Sequence, residues 1–213
     1  GLDHQETLGD SLVAIAEQKA GIFKPGNSAV IANLAPEAQL VCQRIANDLG
    51  VTLYQANKDF SFRSGNFYSS LADFNHLILG LEGAYQEENA ALALQAFLLF
   101  MAQRNEKVDQ EAVRAALEAT KWAGRLEVVT EHIYLDGAHN LPALERLVEF
   151  IQEKIQQGCH LQILFGALKR KDYSGMLTYL TDHLPDTALY VTSFDYQGSL
   201  EEQDLSGYHR VAS

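Results

Sequence analysis

No apolar run in this sequence is long enough to cross a bilayer. The longest, Ala90–Ala102, is broken by Gln95 and falls short of the ~20 residues that a spanning helix needs, so no membrane is expected as a partner. Residues 1–20 do not pair a basic start with an apolar core, and no signal peptide is visible. Basic charge is scarce. Sixteen Lys and Arg stand against 28 Asp and Glu, a formal net charge of −12, which disfavours nucleic acid as a partner. Cysteine is scarcer still: Cys42 and Cys159 form no CxxC pair and no disulfide framework, in keeping with a reducing, cytoplasmic setting. Four familiar signatures are missing as well: the GxxxxGK[ST] phosphate loop, GxSxG, HExxH and GxGxxG.

What is present is ordinary for a soluble globular chain: 213 residues, 47% hydrophobic and 21% charged. That length allows one or two domains, each able to bury a core. The sequence opens at Gly1 without a Met and closes on Tyr208–Ser213 without a recognisable stop, so it is expected to be part of a longer protein.

Periodicity divides the chain into alternating elements. Thr7 and Asp10 form a capping box ahead of Leu8, Leu12, Ile15 and Ala16 at helical spacing, and Gly21 is a natural stop. Ser28–Asn33 reads as a buried strand, Pro36–Leu49 as a helix ended by Gly50, and Val51–Tyr54 as a second strand, a β-α-β order that predicts a parallel sheet. Residues 55–82, with five aromatics among Ser, Asn and Gly, read as antiparallel excursions ending in a strand at His76–Leu79. Helices over Gln86–Gln103 and Asp109–Ala119 follow, and the domain joint is placed at Lys121–Gly124. Beyond it come strands at Leu126–Val129 and Ile133–Leu135, a helix over Leu141–Gln157, a strand at Leu161–Phe165, a helix over Tyr173–His183 and a strand at Leu189–Ser193. That order predicts a small doubly wound α/β domain.

Four segments offer chemistry. Asp136-Gly137-Ala138-His139-Asn140 falls between a strand and a helix, where parallel α/β folds bind ligands and a helix N-terminus favours anions. Asp136 suits a ribose hydroxyl and His139 a phosphate, but a polar βα turn capped by Asn140 accounts for the same residues. Leu2-Asp3-His4 precedes Lys19 by most of a helix, and Lys19 alone reads equally as a cation answering the helix dipole. Asn89 lies in Gly83–Ala91, a polar lead into an apolar helix. Arg125 lies in Trp122–Glu127 at the joint, where a guanidinium can grip phosphate or pair with a surface carboxylate.

Taken together and in order, these segments resemble the folylpolyglutamate synthases and their bifunctional dihydrofolate synthase forms, within the Mur ligase superfamily. The opening Leu2–Gly26, Gly83-x-Tyr85-Gln86-x-x-Asn89-Ala90, Trp122-x-Gly124-Arg125-x-Glu127, Asp136–Asn140 and Phe165–Asp172 are similar to that family's signatures, and the likeness thins after Ser193. Two positions depart: Gln18 stands where many members have Glu, and Leu141 separates Asn140 from Pro142.

The resemblance implies a chain lacking the upstream phosphate loop. Residues 1–122 would be the later part of the central ATP-binding domain and 123–213 a Rossmann-like C-terminal ligase domain. It implies ATP-dependent joining of L-glutamate to a folate γ-carboxylate, or to dihydropteroate, through an acyl phosphate. His4 would be a Mg²⁺ ligand, and Lys19 the family lysine that becomes carbamylated and serves metal and catalysis. Asn89, Arg125 and Asp136 would contact ATP, and His139 would stand near the reacting groups across the domain cleft. A monomer is expected. The rival readings are another Mur-type ligase acting on a UDP-muramoyl peptide, and a non-catalytic nucleotide-binding α/β module.

Overall fold

The computed structural model describes residues 11–201, 204 and 209–210. The chain divides into two compact units, Gly1–Ala123 and Gly124–Ser213.

In the first unit, helix α1 (Leu12–Ala20) starts at Ser11, whose Oγ accepts the Ala14 N–H at 3.2 Å. The capping box expected at Thr7 and Asp10 lies outside the described residues. Strand β1 (Ser28–Ile31), helix α2 (Pro36–Leu49) and strand β2 (Thr52–Gln55) form the anticipated β-α-β unit. The two strands pair in parallel, Ser28 beside Thr52 through Ile31 beside Gln55. Pro36 occupies the first turn of α2, where its missing N–H costs nothing. Gly50 ends that helix in the left-handed region at φ 64°. Ala20, Phe23, Ile31, Cys42, Ala46 and Val51 close one core between these elements.

The aromatic stretch folds into an antiparallel hairpin, β3 (Phe60–Arg63) and β4 (Asn66–Ser69). Its two-residue turn, Ser64-Gly65, has positive φ at both positions (49° and 75°), as a tight hairpin with native twist requires. Helix α3 (Tyr85–Gln103) lies against it, and helix α4 (Gln110–Ala119) follows, capped by Asp109. Phe60, Phe62, Phe67, Phe74, Leu94 and Leu98 are the bulk of this second core. Within it, Gln95 is fully buried: its Oε1 accepts from Ser69 Oγ at 2.7 Å, and its Nε2 has no partner.

The strand expected at His76–Leu79 does not form. His76 turns into the left-handed region at φ 56°, which interrupts extended backbone. The neighbouring amides are taken by the hairpin instead: His76 N–H donates to Asn66 Oδ1 and Leu77 N–H to Gly65 O. Leu77 is buried as an anchor rather than as one member of an alternating strand.

The second unit opens with β5 (Glu127–Thr130) and β6 (Ile133–Leu135). These pair antiparallel with an irregularity between Val128 and Thr130, so β6 stands in a hairpin and not in the parallel sheet that the alternating pattern predicts. Two residues between the strands are too few for a parallel crossover. Helix α5 (Leu141–Gln156), β7 (Gln162–Phe165), helix α6 (Tyr173–His183) and β8 (Ala188–Val191) then follow the α/β order, with β9 (His209–Arg210) completing a parallel sheet β7-β8-β9. Leu144, Val148, Leu177, Leu180 and Val191 are its buried interior. Tyr134 of β6 meets Phe150 of α5 edge-on at 5.2 Å, which fastens the hairpin to the helix.

Candidate functional site

In the second unit, two of the four sequence segments fold into one structure. Gly124 and Leu126 adopt left-handed backbone, at φ 66° and 47°. The turn after β6 closes on them. Gly137 N–H donates to Gly124 O at 2.8 Å, and a Cβ at Gly137 would stand 3.2 Å from that same oxygen, so glycine allows the close approach. Asp136 accepts the Leu126 N–H on Oδ2 at 2.9 Å and the Ala138 N–H on Oδ1 at 2.8 Å. Asn140 Oδ1 caps α5 by accepting the Ala143 N–H at 2.9 Å, and Pro142 follows within the first turn.

Two side chains leave this turn toward solvent. Arg125 is exposed and has no ion pair among the described residues. His139 is also exposed, its Nδ1 2.9 Å from Gly137 O, which leaves Nε2 outward. Asp136 is half-buried, and each carboxylate oxygen already serves a backbone amide. It therefore builds the turn first, with one lone pair per oxygen remaining for a ligand. The Asp136–Asn140 segment is thus a capped polar turn, the structural reading its sequence allows, and it leaves the His139 side chain exposed.

The first unit places its candidates separately. Lys19 is in the last turn of α1, exposed and without an ion pair among the described residues. Its amine is accessible, but the described neighbours do not desolvate it. Asn89 is on the second turn of α3, exposed, its Nδ2 donating to the buried Gln86 at 2.9 Å. A void of about 30 Å³ opens where the chain leaving β1 and β2 meets this helix, lined by Ala32, Asn33, Asn57 and Glu88. Beside Asn89, Glu87 accepts the Ser64 and Gly65 N–H groups, each at 3.3 Å, and ties the start of α3 to the hairpin turn. Nothing in the sequence pattern announces that tie. His4 lies outside the described residues. Among the described residues no group of three His, Cys, Asp or Glu stands ready to hold a metal ion, and no helix is long and apolar enough to cross a membrane.

No protein-family model matches the chain. Among characterised proteins it is similar to the dihydrofolate synthase/folylpolyglutamate synthase of Bacillus subtilis, 32% identical over a 221-position alignment that covers 96% of this chain and 50% of that protein. It is 31% identical over 191 residues to the folylpolyglutamate synthase of Lacticaseibacillus casei, covering 84% of this chain and 44% of that one. Among solved structures, a folylpolyglutamate synthase–AMPPCP–folate complex superposes with a TM-score of 0.83 at 26% identity, over 100% of this chain and 56% of that one. The chain thus spans about half the length of the relatives it matches.

Proposed function

Along nearly its whole length the chain is a homologue of the folylpolyglutamate synthases, with their α/β Mur-ligase fold, and from that premise we propose that it supplies part of an ATP-dependent ligase that adds L-glutamate to folate. The observation that carries the reading is the closed loop of residues 124–140, which sends Arg125 and His139 outward from a braced backbone directly ahead of a helix N-terminus. Residues 1–122 would serve as the later part of the ATP-binding domain and 123–213 as the ligase domain. The protein acts as a cytoplasmic monomer.

The chemistry sets the demands. A carboxylate is a poor electrophile, so its oxygen first attacks the γ-phosphorus of ATP and ADP departs. The glutamate amine then attacks the acyl carbon, phosphate leaves, and the amine proton is lost. Both partners of the first step are anions, so cationic groups must offset their repulsion. Arg125 has the planar donor set for phosphate oxygens and no competing carboxylate among the described residues. Asp136 accepts from the ribose through its remaining lone pairs, and Asn89 offers its amide to the nucleotide. The outward Nε2 of His139 serves the reacting groups. Lys19, as a neutral amine, adds CO₂ and releases a proton, becoming an anionic oxygen ligand that suits a hard cation alongside His4. Mg²⁺ held there supplies neutralising charge when bound.

The direct test incubates the intact enzyme with ATP, L-glutamate and one acceptor at a time: tetrahydrofolate, dihydropteroate or a UDP-muramoyl peptide. ADP release with a folate acceptor is expected. Release with the muramoyl acceptor alone would overturn the assignment. The present chain holds no phosphate loop, so calorimetry on it alone is expected to find only weak ATP binding. A micromolar dissociation constant would relocate the phosphate grip.

A further inference from the structure

Arg125 stands between two residues in left-handed backbone, Gly124 and Leu126. A leucine seldom adopts that region, and this one also buries its side chain, which is 2% exposed. Two carboxylates hold the arrangement. Asp136 takes the Leu126 amide, as described above. The other is Glu127, whose Oε2 reaches back to accept the Gly124 N–H at 2.8 Å. Glu127 is half-buried and, among the described residues, pairs with no cation. Its charge is directed to a backbone amide three residues earlier, while the adjacent guanidinium stays unpaired. An Arg-x-Glu sequence on a surface would be expected to form an ion pair; here the loop geometry keeps the two apart in function. With the residues on both sides fixed, the direction in which Arg125 leaves the backbone is fixed as well.

We propose that Glu127 is a positioning residue of the ligase. Through the Gly124 amide it maintains the left-handed loop that aims Arg125 at the phosphates of ATP. This rests on the proposed function, because it requires Arg125 to hold phosphate.

The test measures KM for ATP and for glutamate in the intact enzyme, for Arg125→Ala, Glu127→Ala, Glu127→Gln and the Arg125→Ala/Glu127→Ala double variant, with a melting curve for each. Glu127→Ala is expected to raise the KM for ATP roughly tenfold and leave the KM for glutamate within about twofold. Glu127→Gln should recover most of the loss, since its amide oxygen still accepts the Gly124 N–H. The double variant should be no worse than Arg125→Ala alone, because Glu127 acts only through that arginine. Multiplying effects in the double variant, or equal damage to both KM values, would overturn the positioning role. If Glu127→Ala does not fold, the same comparison is read on Gly124→Ala, which strains the same amide from its own side, and the same two results decide it. A costly Arg125→Ala with a neutral Glu127→Ala sinks this inference alone. An Arg125→Ala that leaves the KM for ATP unchanged sinks the phosphate-holding role and the inference together.

Discussion

Lys19 and Arg125 are both exposed cations without an ion pair among the described residues, yet they are mounted in opposite ways. Lys19 extends from the last turn of a nine-residue helix, its long side chain held by nothing described. Arg125 sits in a loop whose flanking residues are pinned by two carboxylates and the Gly137 amide. A flexible amine can be chemically modified and then ordered by what it binds. A guanidinium that recognises phosphate gains from a braced backbone, because less conformational entropy is lost on binding. Under the proposed function, the two cations would serve different steps: one completed by chemistry, the other mounted on a braced loop.

The sharpest way to break that contrast is Lys19→Ala in the intact enzyme. On the proposed reading this removes an oxygen ligand of the cation that offsets the developing charge, and losing electrostatic stabilisation of that kind costs about 10²–10³ in turnover. Steady-state assays should show that loss, with partial recovery when short carboxylic acids are added. Wild-type turnover would remove Lys19 from the mechanism. Next in size is the brace itself. Gly137→Ala brings a methyl to 3.2 Å from Gly124 O, so the braced backbone must give by a few tenths of an ångström; a loss of about 1 kcal/mol is expected, measurable by urea denaturation. An unchanged midpoint would mean that the loop yields easily and that its rigidity is illusory.

The two helix caps allow a matched comparison. Ser11→Ala and Asn140→Ala each remove one side-chain cap, at about 1 kcal/mol apiece. Ser11→Ala should lower thermal stability without changing the KM for ATP. Asn140→Ala should change both, because its helix begins at the Asp136 turn. The smallest effect concerns the ionic pair that fastens the loop after β7. Lys169 Nζ lies 2.9 Å from Glu201 and 3.1 Å from Asp204. The Glu201 amide, then Lys169, hold the Asp204 carboxyl below its usual range, while the Glu201 carboxylate, ahead of Asp204, raises the Lys169 ammonium. A depressed carboxyl stabilises above its unfolded pKa and loses that contribution as pH falls through its lower folded value. The raised lysine loses its share only as pH rises past the ordinary lysine range. Melting temperatures should therefore drop a little more steeply in acid for the wild type than for Lys169→Met, and added salt should shrink the gap. Equal acid slopes would show that the pair contributes nothing.

Much of the frame was legible because local chemistry and global fold agree there. Pro36 and Gly50 bound α2, Asp109 caps α4, and alternating aromatics form the hairpin. Legibility failed where long-range contacts outbid the local pattern. His76–Leu79 has strand composition, but its amides are claimed by Gly65 and Asn66. The sequence marks the Ile133–Leu135 strand but not its antiparallel partner, since the two-residue β5–β6 connection is a local signal set against the alternating order that follows. The candidate residues are marked by their signatures. What those signatures do not contain is that Asp136 spends both oxygens on amides, that Leu126 is left-handed, or that Glu127 turns back to Gly124. Such facts depend on where two segments ten residues apart come to rest, and no periodicity encodes them.

Gln95, buried with one of its two polar atoms unanswered, has a consequence for how the aromatic hairpin finds its seat. Replacing this amide by an apolar group of the same shape would take the acceptor from the Ser69 hydroxyl proton and leave that hydroxyl only the Leu71 amide, so the contact between Ser69 and Gln95 acts as a key for one alignment. Sliding the hairpin by one residue would turn Phe67 toward water and strand the amide oxygen too. The unmet donor thus lowers the depth of the native well while raising the walls around it, a trade of stability for uniqueness in a core otherwise built from interchangeable rings.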